Sequence, residues 1–129
     1  MGKKGFTLVE FTVVMVCIAI LVVVTAPFMM GRIDAARWTE GKTAMGTIAT
    51  ALHAYCIEQS ADLSAPPLIS SLGFTSGDLG GTYFNIDNYL IESLNFKCDG
   101  SIFDYSIVAR HGGLTPVRYT LDQSGNWEP

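Results

Sequence analysis

The sequence predicts an α+β protein: one long N-terminal helix, partly transmembrane, packed against a small antiparallel β-sheet head. Two observations carry the prediction. A 21-residue run without a charge lies between Glu10 and Arg32, and an alanine-rich stretch free of proline follows it to about Ala61. Later, turn-forming residues separate three strand candidates, two of which alternate apolar and polar residues. With 129 residues, the chain has room for one compact domain beside a membrane helix.

The chain opens on Lys3 and Lys4, then Gly5-Phe6-Thr7-Leu8-Val9-Glu10. The uncharged run FTVVMVCIAILVVVTAPFMMG comes next, and about 20 such residues span a bilayer as a helix. Two lysines before the span place the N-terminus in the cytoplasm and the bulk of the chain outside, by the positive-inside tendency. A secretory signal puts a short apolar stretch before its cleavage site. Here the glycine precedes the apolar stretch, so a cut at Gly5 would leave the helix in the mature protein.

This order resembles the class III leader of type IV prepilins and of the pseudopilins of type II secretion. The leader glycine, Phe6-Thr7-Leu8, Glu10 and Pro27 are all in register with that family, over Lys3 to about Pro27. Ala19 stands where many members have glycine. The resemblance implies cleavage between Gly5 and Phe6 by a prepilin peptidase and N-methylation of Phe6. It also implies a ladle-shaped pilin fold and a structural role: inner-membrane assembly machinery moves subunits from the membrane into a helical filament of copies of the chain. An ionisable residue inside a membrane segment is a functional hypothesis by default. Cleavage creates an amine on Phe6, one helical turn from Glu10. In the family this carboxylate faces the amine of a neighbouring subunit, so Glu10 is expected to set axial register, because an unpaired buried charge is strongly unfavourable. Pro27 has no N–H and crowds the carbonyl of Val23, so a kink or opening is expected there.

The resulting domain plan is a leader at 1–5, a hydrophobic transmembrane or filament-core helix at 6–31, its amphipathic continuation at 32–62 and a globular head at 63–129. In the continuation, Met45, Ile48, Leu52 and Tyr55 form one apolar stripe, widened by Ala44, Ala51 and Cys56. Ser64-Ala65-Pro66-Pro67 ends the helix. Leu68 to Leu72 suggests a short helical turn stopped by Gly73, and Thr75 to Gly81 a loop. Strands are expected near Tyr89 to Phe96, Ile102 to Ala109 and Val117 to Leu121. Asp99-Gly100, Gly112-Gly113 and Ser124-Gly125-Asn126 provide turns, giving a three-stranded antiparallel meander.

Of three cysteines, Cys17 lies in the apolar run and reads as a small apolar residue. Cys56 and Cys98 fall on the external side, where a disulfide can persist, and a bridge would stabilise by about 3–4 kcal/mol in the chain-entropy model. Spacing leaves that bridge open. Many pilins carry theirs nearer the C-terminus.

Formal net charge is −4, and −6 once Lys3 and Lys4 leave with the leader. Such a head lacks the broad basic field of a general nucleic-acid binder. His53 and His111 have no nucleophile or carboxylate at motif spacing, and no phosphate loop, zinc pattern or catalytic triad is present. No enzymatic activity and no cofactor are expected. Asp122, Ser124, Asn126 and Glu128 place oxygen donors at alternate positions and loosely suggest calcium, which major pseudopilins carry in C-terminal loops. The EF-hand spacing is absent, and a polar hairpin has the same composition. The expected function is therefore a type IV pilus subunit for adhesion, motility or related surface roles, an inner-membrane precursor that matures into an extracellular filament. The alternatives are a pseudopilin or minor pilin and, from another class, a membrane-anchored binding module that does not polymerise.

Overall fold

The structure is a computed structural model that describes Gly2 and residues 4–129. Helix α1 runs from Leu8 to Gln59 over 52 residues. Four strands follow, β1 Tyr89–Phe96, β2 Phe103–Arg110, β3 Arg118–Asp122 and β4 Trp127–Glu128, with single 3-10 turns at Ile69–Leu72 and Ile86–Asn88. The strands pair antiparallel in the order β1-β2-β3-β4. One long apolar helix and a small four-stranded antiparallel sheet form an α+β, pilin-like arrangement.

The chain divides into two compact units, one ending at Asp34 and the other running from Ala35 to Pro129. In the first, every described residue through Ile33 is exposed. This part of α1 is long and apolar enough to cross a membrane, with a mean hydropathy of 2.8 in its most apolar window. Helix α1 continues through Pro27, so it is not opened there. Proline deletes the N–H that the Val23 carbonyl would receive. One turn earlier, the Thr25 hydroxyl donates to the carbonyls of Leu21 at 2.9 Å and Val22 at 3.3 Å.

The second unit has its own core. Trp38, Met45, Ile48, Leu52 and Cys56 project from α1, spaced three, four and seven apart, and meet Tyr89, Ile91, Leu94, Phe96, Ile107, Ala109 and Leu121 from the sheet. Ile91 pairs with Ile107 and Ser93 with Ser106, leaving Glu92 as the extra residue of a β-bulge. Without that insertion a period-2 strand could not bury both Tyr89 and Ile91 and then Leu94 and Phe96 on one face. The bulged Glu92 accepts from Arg110 at 3.2 Å and Arg118 at 3.0 Å, fastening β1 to β2 and β3 on the solvent side.

The expected meander thus has a fourth strand. Leu121 pairs with Trp127 and Thr120 with Glu128 around the Ser124-Gly125-Asn126 turn. Two residues are too short for alternation to reveal them. The apolar stripe also begins earlier than its aliphatic residues indicate, at Trp38 and Gly41.

Candidate processing and assembly site

Lys4 to Thr7 lie outside any regular element and are exposed, and α1 starts at Leu8. The Gly5–Phe6 peptide is therefore irregular backbone with open space around Gly5, the form in which a chain can enter a peptidase cleft. Just after it, Thr7 and Glu10 form a capping box. The Glu10 carboxylate accepts from the Thr7 backbone N–H at 2.8 Å and from its hydroxyl at 2.9 Å. The Thr7 hydroxyl accepts in turn from the Glu10 N–H at 3.2 Å. Two donors that a helix start leaves unpaired are satisfied reciprocally. With the leader attached, the partner of Glu10 within its own chain is Thr7, not Phe6. The signal for it, a Thr-x-x-Glu spacing before an apolar run, is present at 7–10 in the sequence.

Beyond the cap, the apolar side chains through Ile33 cover no other part of the chain. Such a surface is stable only in lipid or against other apolar surfaces, because exposing it to water costs roughly 25 cal/mol per Å².

The head is fixed to α1 through polar anchors that hydrophobic periodicity does not show. Trp38 packs tilted against Phe84 and edge-to-face against Tyr119, with centroids 5.0 and 4.8 Å apart. Lys42 lies 4.0 Å from the Tyr119 ring centroid and 5.4 Å from that of Trp127. The Glu40 carboxylate accepts from the backbone N–H groups of Thr82, Tyr83 and Phe84 at 3.1, 2.9 and 2.9 Å. Burial pushes the Glu40 carboxyl up, but the three N–H bonds outweigh it and hold the group below its ordinary value. A side chain at Gly81 would collide with that carboxylate.

The two head cysteines are not bridged. Cys56 is buried on the core face of α1, and Cys98 is exposed in the turn after β1. Asp62 holds that turn from outside, accepting from the Cys98 N–H at 3.0 Å and pairing with Lys97 at 2.9 Å. Asp122 also serves a turn: its Oδ1 accepts from the N–H groups of Ser124 and Asn126, both at 2.9 Å. Among the described residues no group of three His, Cys, Asp or Glu side chains gathers, and Asp122, Ser124, Asn126 and Glu128 stand in and beside the turn between β3 and β4. His53 packs on Phe103 at 4.9 Å, and His111 accepts from the Gly113 N–H at 3.2 Å through Nδ1.

The exposed residues 4–7, the capped carboxylate and the uncovered helix fit a membrane-anchored, pilin-like precursor. Residues 1–26 match the prokaryotic N-terminal methylation motif. This is the class III prepilin leader, characteristic of type IV pilins and pseudopilins. No curated protein and no solved structure matches the chain.

Proposed function

We propose that the chain is a structural subunit of a type IV pilus-type filament. A prepilin peptidase cuts between Gly5 and Phe6, and the inner-membrane assembly machinery draws the mature subunit from the membrane into the fibre. The carrying observation is the uncovered apolar surface of α1, most of which lies within the methylation motif at residues 1–26. Transfer from lipid to a bundle of like helices exchanges one apolar environment for another, so polymerisation incurs little desolvation cost. A head-to-tail contact that does not close into a ring generates a helical polymer. In that polymer Glu10 answers the Phe6 amine of a neighbouring copy.

The test is co-expression with a prepilin peptidase. The native chain should lose the mass of residues 1–5, and a Gly5→Leu variant should stay full length in the membrane. A native chain that stays uncut beside an active peptidase contradicts the reading and favours a membrane-anchored module.

A further inference from the structure

The head has two unlike ends, and the apolar stem leaves from one of them. Trp38 marks that end. Its ring packs on Phe84, and its Nε1–H donates to the Pro116 carbonyl. The residue beside each of these contacts is uncovered: Tyr83 is 43% exposed and Val117 57%. Two separate loops thus present one apolar side chain each, next to the start of the head's share of α1. Arg37 lies over the Tyr83 ring, 4.9 Å from its centroid. Helix side chains lean toward the N-terminus, so this pair leans toward the end from which the stem leaves.

A single exposed valine would be ordinary surface. Three observations set this pair of loops apart. The first is attachment. Ala35 opens the head four residues after Gly31, the last residue of the uncharged run. Four residues reach at most about 14 Å, and the headgroup layer adds roughly 5–7 Å to each side of the hydrocarbon. This end of the head therefore stays beside the bilayer at whatever angle stem and head make. The second is chemistry, because a tyrosine ring with an arginine beside it suits the boundary between headgroups and acyl chains. The third is charge. Around these loops Arg37, Arg110 and Arg118 balance Glu40, Asp87 and Glu92, and Glu92 is shared by two of the arginines. The opposite end, where Leu63 pairs with Phe96, carries Glu58, Asp62, Asp99 and Asp104 against Lys97. An anionic bilayer surface repels that end and leaves the Trp38 end free to approach.

We propose that in the membrane-anchored chain this end of the head rests on the bilayer, with the Tyr83 ring and Val117 seated in the headgroup layer. The contact needs the anchored precursor and does not depend on the polymer. It holds the head at the surface until the chain leaves the membrane.

The test uses the full-length chain, one copy per lipid nanodisc of phosphatidylethanolamine and phosphatidylglycerol, in a Cys17→Ala, Cys98→Ser background. Cys56 is fully buried and takes no label. A nitroxide is attached through Thr82→Cys, beside Tyr83, or through Ser101→Cys, in the turn between β1 and β2. Both positions are exposed in the free head. Collisions with a water-soluble nickel chelate should be several-fold fewer at 82 than at 101. Tyr83→Ser combined with Val117→Ser should raise the rate at 82 to that at 101, while the detergent-solubilised chain melts close to the native temperature. Independently of that variant, nickel carried on a lipid headgroup should collide more often with a Val117→Cys nitroxide than with one at 101. Equal rates at the two ends, with either form of nickel, overturn the proposal. So does protection at 82 that survives the double serine variant, since tethering alone would then explain it. Protection that appears only with two copies per disc assigns the surface to a second head and overturns the lipid contact.

Discussion

Trp38, near the start of the head's share of α1, donates its indole Nε1–H to the backbone carbonyl of Pro116 at 2.9 Å. The same side chain is 1% exposed and packs between Phe84 and Tyr119. It therefore joins the helix, the loop before β1 and the approach to β3 at one point. Trp38→Ala should destabilise the head by about 3–5 kcal/mol through lost burial and a cavity. Trp38→Phe keeps most of the packing and should lose less, about 1–3 kcal/mol with the orphaned carbonyl included. Thermal melts of the detergent-solubilised chain measure both, and equal losses would deny the hydrogen bond its part.

Gly41 and Gly46 make a paired test. A β-carbon at Gly41 would stand 2.9 Å from the Phe84 ring, whereas one at Gly46 meets nothing within 4 Å. In an open helix, alanine for glycine stabilises by about 1 kcal/mol. Gly46→Ala should show that gain in a denaturant melt. Gly41→Ala should be destabilising instead, because Phe84 is 2% exposed and has little room to yield.

Glu40 links stability to acid. Its folded carboxyl sits below the ordinary value of 4.5, held there by three backbone N–H groups. A lowered carboxyl contributes stability above its unfolded value, and that contribution disappears as pH falls through the folded value. The loop Thr82–Phe84 should therefore loosen only below about pH 4.5, visible as faster amide exchange at those three residues. Glu40→Gln should flatten this part of the pH profile and leave the neutral-pH fold in place.

Glu10→Gln keeps an acceptor oxygen for Thr7 and removes the charge. Cleavage after Gly5 should continue, since the irregular backbone at Gly5 and Phe6 is unchanged. Assembly yield should fall by about tenfold or more, because the variant leaves the amine of a neighbouring Phe6 without its countercharge. Quantifying sheared filaments against the membrane pool reads this directly, and an undiminished yield would remove Glu10 from register setting.

Much of the architecture was legible because it repeats. Alternation marked β2 and β3, and the long apolar run marked α1. Features that depend on one residue meeting a distant partner were not legible. Glu40 reads as one of several charges near the membrane run, yet its partners lie 42 to 44 residues on. Glu92 looks like an ordinary strand carboxylate until the bulge turns it toward two arginines. The β4 strand is only two residues long. Spacing of Cys56 and Cys98 likewise carries no sign that one is buried and the other exposed. Just after the leader, the Thr7–Glu10 box was the reverse case: its local signature was in plain view beside a stronger motif.

The most direct test of the central claim is mass spectrometry with N-terminal sequencing of filaments sheared from the source cells. The account predicts a dominant species that begins at Phe6, lacks residues 1–5 and carries a methyl group on its terminal amine. Filaments without this chain, with the full-length protein confined to the membrane and still beginning at Met1, would contradict it.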